Sequence, residues 1–468
     1  MTNIPPTKKH KDNPPTWLPL STQLGDYQRS VETTLEEMKA KKIMARLWAH
    51  DHTVWKHDPI EITNRLGWLD IAESMLEKVP RLETLAADLQ AEGYTHVLLL
   101  GMGGSSLAPE VFQKTFGERT KGLVLAVLDS TDPGAVLAHK DRLDFSKTIF
   151  VVASKSGSTV ETMSFFKYFY NQVAQTLGAE NAGERFIAIT DPGSNLVDFA
   201  QTYNFREVFL NDPNIGGRYS ALSYFGLVPA VLVGLDVVTL LERSLISRKN
   251  CQNPADEKND GARLGVILGK LAQKGRDKLT LVTSPAVTSF GDWVEQLIAE
   301  STGKEGKGIL PVVGEPVGKP EVYGKDRLFV YLRLAGDDTH DTDIQALGEA
   351  GYPVLRILLK DLYDLGGQFF LWEMATAVAG YCLGINPFDQ PNVESAKILA
   401  KKMVKAYKET GQRPSGDFAS PTRTALEGFL NQSRAGDYIS LQAYVPPTSA
   451  TDDALLALRT KLRDRYKL

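Results

Sequence analysis

Residues 154–159 read Ser-Lys-Ser-Gly-Ser-Thr, four hydroxyl side chains grouped around one glycine. The preceding run TIFVV is β-branched and aromatic without a charge, the pattern of a buried parallel strand. The following ETMSFFKYFYNQV carries apolar residues at helical spacing, and Ser158 and Glu161 have capping-box spacing, which predicts a helix start at that point. A strand, a hydroxyl-rich loop and a helix N-terminus together suit an anion. The first N–H groups of the helix are free, its dipole favours negative charge, and Ser154, Ser156, Ser158 and Thr159 add donors. A phosphate monoester is the natural ligand, although an ordinary capped helix behind a solvated loop would read the same way.

Three further groups could do chemistry. Gly216 and Gly217 precede Arg218, so the main chain can bend there and present a guanidinium to a ligand. Glu300 lies near the end of a predicted helix that stops around Gly303, and the opposing dipole makes a carboxylate there a better proton acceptor. The turn GMGGSS, residues 101–106, allows close backbone approach to a small ligand; it is neither a dinucleotide fingerprint nor a P-loop, which would require a lysine. By residue type alone, Glu300 is better read as a surface helix end paired with Lys304. Lys397 fits a solvated lysine beside Lys401 and Lys402.

The elements that must hold these groups read as an α/β protein. THVLLLG, GLVLAVL, TIFVV and RFIAIT are strand runs, each leaving into a polar loop and then a helix. Four such units predict a doubly wound parallel sheet with its loops on one edge. KLTLVT, RLFVYLRL and YPVLRILL predict a second lobe of the same kind, followed by the apolar helix GQFFLWEMATAVAGYCLGI. The expected organisation is a disordered leader over 1–25, a helical region over 26–90, a first lobe over 91–246 and a second over 247–387. A C-terminal helical arm over 388–468 would contain a late strand, YISLQAYV.

Composition narrows the function. The 468 residues carry 43% hydrophobic and 24% charged side chains with a net charge of −4, ordinary for a globular protein and without the basic excess of a nucleic-acid or membrane-surface binder. Cys251 and Cys382 are too far apart in sequence to suggest a disulfide framework or a metal cluster, and none of the seven histidines sits in a zinc spacing. The N-terminus lacks the apolar core of a secretory signal, and the longest apolar stretch contains Pro229 and Asp236, so it reads as buried helix and not as a membrane span. A cytoplasmic protein is expected.

GMGGSSLAP, SKSGSTVET, GGRYSALSYFG, EQLIAESTGKEGKGILP and INPFDQPNVESAK follow one another in this order. Together they resemble the phosphoglucose isomerase family over roughly residues 45 to 410, with wording closest to the isomerase half of bacterial transaldolase–phosphoglucose isomerase fusions. The resemblance implies two sugar-isomerase (SIS-type) lobes. It also implies aldose–ketose interconversion of glucose 6-phosphate and fructose 6-phosphate through a cis-enediol, with no metal or other cofactor, and a homodimer. Carried over by motif, Glu300 is the proton-shuttling base, Arg218 stabilises the enediolate and Lys397 sits by the ring oxygen with Gln390. Gln296 contacts substrate, Gly104 and Ser105 line the sugar, and Ser154, Lys155, Ser156 and Thr159 hold the phosphate, Lys155 mainly through its main chain. SKSGST departs from the family's bulkier loop at Gly157, which should loosen it. The ring-opening histidine of the family has no matching segment; His340 is the only histidine of the second half. A non-catalytic SIS-type sugar-phosphate sensor and an isomerase of a related substrate such as mannose 6-phosphate remain open, the first disfavoured by the joint presence of Glu300, Arg218 and Lys397.

Overall fold

The computed structural model describes residues 19–117, 121–391, 393–412, 422–445 and 448–467, and of residues 393–397 the backbone alone. The chain builds two five-stranded sheets. Strand β1 (Ser21–Gln23) precedes the helical N-terminal region. Strands β2 (His96–Gly101), β3 (Val124–Leu128), β4 (Thr148–Ala153), β5 (Phe186–Thr190) and β6 (Glu207–Leu210) form the first sheet in the order β3-β2-β4-β5-β6, every neighbour parallel. Strands β7 (Lys278–Thr283), β8 (Leu310–Val312), β9 (Arg327–Leu334) and β10 (Val354–Leu359) form the second with β1, in the order β1-β10-β9-β7-β8. Only β1 runs antiparallel. Helices flank both sheets, the expected α/β architecture.

The strand order decides where a ligand can sit. In the first sheet the chain moves from β2 outward to β3, then returns to the other side of β2 for β4. Loops leaving β2 and β4 therefore diverge to opposite faces, and a crevice opens between them at the carboxyl edge. Gly101 at the end of β2 pairs in register with Ala153 at the end of β4, so GMGGSS and SKSGST leave the sheet side by side.

Burial follows the apolar runs. Phe150, Phe166, Phe169 and Phe186 are at most 1% exposed and pack one face of the first sheet. The lobes are joined through the helix Leu365–Leu383, buried along nearly its whole length, which lies against the helix Asp260–Gln273. Gly261, Gly265 and Gly269 make that contact close, each facing a residue between Met374 and Cys382; a Cβ on Gly265 would stand 2.5 Å from the Ala375 carbonyl oxygen.

Several expectations need correction. Residues 21–23 are part of the second sheet and not of a disordered leader: they pair with Val354–Arg356, so backbone hydrogen bonds order a segment whose side chains are polar. YISLQAYV forms no strand; Tyr438 to Leu441 run beside Leu310–Val313, lining the same cavity of about 260 Å³ without a ladder. The helix after SKSGST begins at Val160 with Thr159 as its N-cap and no side-chain cap bond, so the Ser158–Glu161 capping box does not form. Among the described residues, no helix is long and apolar enough to cross a membrane. The apolar stretch around Pro229 forms two helices, Tyr224–Leu232 and Val237–Cys251.

Candidate active site

Arg218 stands at the centre. It lies in a short 3-10 turn, Gly217–Tyr219, and is 1% exposed. Its Nε donates to Ser301 Oγ at 2.7 Å, and its Nη2 donates to the carbonyls of Pro387 at 2.8 Å and Asp389 at 3.0 Å. Nη1 lies 3.1 Å from Glu300 Oε1 as an ion pair. The angle of that contact misses a hydrogen bond, so Nη1 is buried without a hydrogen-bond partner among the described residues. A buried guanidinium needs nearly all its donors satisfied; the unsatisfied edge is the one turned toward Glu300.

Glu300 is supplied by the second lobe, from the helix Phe290–Thr302, and its side chain is 23% exposed. Gln296, one turn earlier on the same face, donates from Nε2 to Glu300 Oε2 at 3.2 Å. The Gln296 Oε1 is buried and unpartnered among the described residues. The same amide lies against Gly103, its nitrogen 2.7 Å from where a Cβ on that glycine would stand. The helix of the second lobe and the GMGGSS turn of the first thus meet across the site.

Gly104 has a steric reason to be glycine. A Cβ there would lie 2.2 Å from the Gly217 carbonyl oxygen and 2.9 Å from the Arg218 nitrogen. The turn holding Gly104 and Ser105 therefore packs backbone on backbone against the turn that presents Arg218, and Ser220 Oγ bonds the Gly217 carbonyl at 2.6 Å.

The hydroxyl loop is organised by its own side chains. Ser154 is buried and its Oγ meets Thr159 Oγ1 at 3.1 Å; Ser156 Oγ meets Ser158 Oγ at 2.9 Å. Because Thr159 bonds Ser154, the opening N–H groups of the helix Val160–Leu177 keep no side-chain cap, which leaves them for an anion. The Lys155 ammonium turns away, pairing with Asp191 and donating to the Pro213 carbonyl at 3.0 Å. Gly157 has a φ of +63°, and a Cβ there would stand 2.5 Å from the Leu196 nitrogen, so glycine is the residue this turn needs.

The closing motif is tied in by its first half. Asp389 takes Arg218 on its carbonyl and Lys304 on both its carbonyl, at 2.9 Å, and its carboxylate. Lys304 is thus paired with Asp389 and not with Glu300. Burial pushes its ammonium below the usual lysine range, and the hydrogen bond to Asp389 opposes that shift. Gln390 follows directly and is exposed. Lys397 falls in the helix Val393–Thr410, but its side chain lies outside the described residues. His340 precedes the helix Asp341–Glu349 with its ring 6.2 Å from that of Tyr331. No hydrogen bond, ion pair or ring contact among the described residues joins His340 to Arg218, Glu300 or Gln296.

Sequence reasoning missed Ser301, the part played by Lys304, and the carbonyls of Pro387 and Asp389, all of which hold the site together. Ser301 and Lys304 stand inside the AESTGK motif and could have been singled out. The carbonyls have no residue-type signal.

The chain is similar to known proteins. The family profile described as "Phosphoglucose isomerase" matches residues 82–308, a span holding the hydroxyl loop, Arg218, Gln296 and Glu300. Glucose-6-phosphate isomerase of Symbiobacterium thermophilum is 28% identical over 381 residues, 71% of this chain and 85% of its own. The enzyme of the same name from Clostridioides difficile is 27% identical with the same coverage. A crystal structure of a glucose-6-phosphate isomerase from Chlamydia trachomatis superposes with a TM-score of 0.72 at 18% identity, covering 88% of this chain and 91% of the other. A hypothetical protein from Thermus thermophilus reaches 0.71 at 24% identity, over 82% and 99%.

Proposed function

We propose that the chain is a member of the phosphoglucose isomerase family, whose profile and relatives it resembles, and that it interconverts glucose 6-phosphate and fructose 6-phosphate through a cis-enediol. The observation that carries the proposal is the meeting of Arg218 and Glu300 at 3.1 Å, one cation and one carboxylate brought from different lobes to the mouth of the same crevice.

The residues divide the work as follows. Ser154, Ser156, Thr159 and the free N–H groups at the start of the helix Val160–Leu177 hold the phosphate, with Lys155 contributing its main chain. The open sugar runs from there past Gly104 and Ser105. Glu300 takes the proton from C2 of the aldose; negative charge develops on the oxygens, and the unpartnered Nη1 of Arg218 is the donor that meets it. A proton shifts between O1 and O2, and Glu300 returns its proton to C1 to give the ketose. Gln296 fixes the Glu300 carboxylate through Oε2, leaving Oε1 toward Arg218. Preset geometry of this kind supports general-base catalysis, since one carboxylate must reach two adjacent carbons. Gln390 and Lys397 attend the ring oxygen.

A homodimer is the proposed assembly. Ile398, Leu399, Met403, Val404 and Tyr407 are 45–60% exposed along the helix Val393–Thr410, an apolar stripe that a second copy would cover. The proposed compartment is the cytoplasm.

The test is direct. The chain is incubated with fructose 6-phosphate in deuterated water, and glucose 6-phosphate is read by a coupled dehydrogenase while the C2 label is read by NMR. Formation of labelled glucose 6-phosphate is the expected result; no product from either sugar phosphate would overturn the proposal.

A further inference from the structure

Lys155 is the one charged residue of the loop 154–159, and its ammonium is already engaged by the protein. It pairs with Asp191 in the loop after β5 and donates to the Pro213 carbonyl at 3.0 Å, in the segment that leads from β6 to Arg218. Two of its three donors are used there, and the carboxylate offsets its charge. A neutralised pair adds little attraction for an anion, so phosphate binding by charge does not account for a lysine at this position.

The bond to Pro213 joins segments that nothing else joins. Loop 154–159 and the loop after β5 are tied through main chain: the Asp191 N–H donates to the Lys155 carbonyl at 3.2 Å, and Thr190 Oγ1 donates to the Ser154 carbonyl at 2.7 Å. Between 154–159 and 211–218, the bond from Lys155 to Pro213 is the one hydrogen bond among the described residues. The segment around Pro213 is itself well fixed. Asp212 Oδ1 accepts from the Asn214 N–H at 2.8 Å, the Asn214 carbonyl accepts from the Gly67 N–H at 3.0 Å, and Ile215 is fully buried. Gly216 and Gly217 follow, and Arg218 stands at their end. Two glycines leave the backbone free to swing, so the place of Arg218 depends on what holds the chain on either side of them. Gly104 packs on Gly217 on one side; Lys155 holds Pro213 on the other.

Asp191 makes the contact specific. Its Oδ1 is buried without a hydrogen-bond partner among the described residues, and burial pushes its carboxyl above the usual carboxylate range while the bond from Lys155 opposes that shift. Lys155 and Asp191 therefore act as a unit. Removing the ammonium alone strands a carboxylate that burial disfavours.

We infer that Lys155 is a positioning residue, a strap that couples the phosphate loop to the segment carrying Arg218. Phosphate held by the loop then steadies the guanidinium that meets the enediolate, and the non-reacting end of the substrate assists the reacting end. The inference rests on the isomerase reading for its kinetic readout and on the phosphate lying at 154–159.

Two measurements test it. The first compares K155M, K155R and K155M/D191N. In K155M, inhibition by inorganic phosphate should stay within about twofold while kcat on fructose 6-phosphate falls about three- to thirtyfold, because a slightly misplaced catalytic group loses rate faster than affinity. K155R, whose fork can serve both oxygens, should recover most of kcat. K155M/D191N removes the stranded charge without restoring the strap, so it should regain thermal stability but not kcat. A tenfold or greater loss of phosphate affinity in K155M would make the ammonium a phosphate ligand and overturn the inference. Wild-type kcat in K155M, no recovery in K155R, or full kcat in K155M/D191N would each overturn it as well. The second measurement needs neither turnover nor a variant. Saturating inorganic phosphate should slow hydrogen exchange of the wild-type protein in peptides covering 154–160 and also in those covering 211–219. Protection confined to 154–160 overturns the strap, and protection at neither overturns it together with the phosphate loop. A wild-type protein that turns over neither sugar phosphate would sink the isomerase reading, while hydrogen exchange would still decide the strap.

Discussion

Glu300→Gln separates catalysis from folding, and the structure says by how much. The two carboxylate oxygens are committed differently: Oε2 accepts from Gln296 and Oε1 faces Arg218. In the glutamine variant the amide oxygen can keep the Gln296 bond. The amide nitrogen then faces Arg218 Nη1, replacing an ion pair with two donors. Arg218 keeps Ser301 and the carbonyls of Pro387 and Asp389, so its charge stays solvated by dipoles. The stability loss should therefore be about 1–2 kcal/mol, short of the ~3–5 kcal/mol that follows when a buried charge loses all compensation. Turnover should fall ~10²–10⁴-fold, because no other carboxylate among the described residues is paired with Arg218 to take the C2 proton. Solvent deuterium exchange at C2 should vanish in step with turnover, while calorimetry finds the variant folded with its Tm lowered by a few degrees. Near-normal exchange at C2 would refute Glu300 as the base. A folded variant that loses far more than 2 kcal/mol would refute the account of how Arg218 is held.

Replacing Ser156 and Thr159 by alanine should raise KM for the sugar phosphate and weaken inhibition by inorganic phosphate; an unchanged KM would move the phosphate to the loop 101–106. Gly104→Ala drives a methyl group into the Gly217 carbonyl, so the Arg218 turn must retreat, and kcat should drop by about tenfold or more; wild-type kcat in that variant would show that the two turns are not coupled. Sedimentation at micromolar concentration should give twice the 51.5 kDa chain mass, and Leu399→Asp with Met403→Asp should return it to one; a single-chain species for the unmodified protein would count against the dimer.

The strands that the sequence disclosed are those with no choice about burial. β2, β4, β5, β7, β9 and β10 are rich in apolar residues and each pairs with a neighbour on both sides; β3 is a sheet edge, disclosed by its wholly apolar VLAVL. The three that escaped notice are β1, β6 and β8, all of them sheet edges three or four residues long. An edge strand is ordered by backbone pairing on one side and need not be apolar on both faces, so Ser21–Gln23 can be polar and still belong to the sheet. The opposite error, YISLQAYV, shows that alternation of side chains does not supply a pairing partner. In the site, Arg218, Glu300 and Gln296 were found through motif resemblance. Their shared geometry depends on contacts across more than eighty residues of chain, from Arg218 to Ser301 and on to Asp389, which local patterning does not encode. Gly157 was read as a loosened position because it stands where the family has bulk. Its positive φ and its closeness to Leu196 instead make it a tightly packed turn.

The bonds of Arg218 also explain why an arginine is required there. Its fork, carried on the turn Gly217–Tyr219, reaches across to Ser301 and Glu300 on the helix of the second lobe and down to the Pro387 and Asp389 carbonyls of the closing segment. A lysine presents its donors from a single point and could not serve oxygens on three sides of a planar group. Lys304, just beyond the C-terminal end of the Glu300 helix, anchors the same Asp389. The backbone leading into Gln390 and the helix Val393–Thr410 is thereby fixed relative to the base and the cation alike. A negative charge that draws on Arg218 pulls on all three elements at once, so the charge that develops during enolisation meets a site whose parts are already braced against one another.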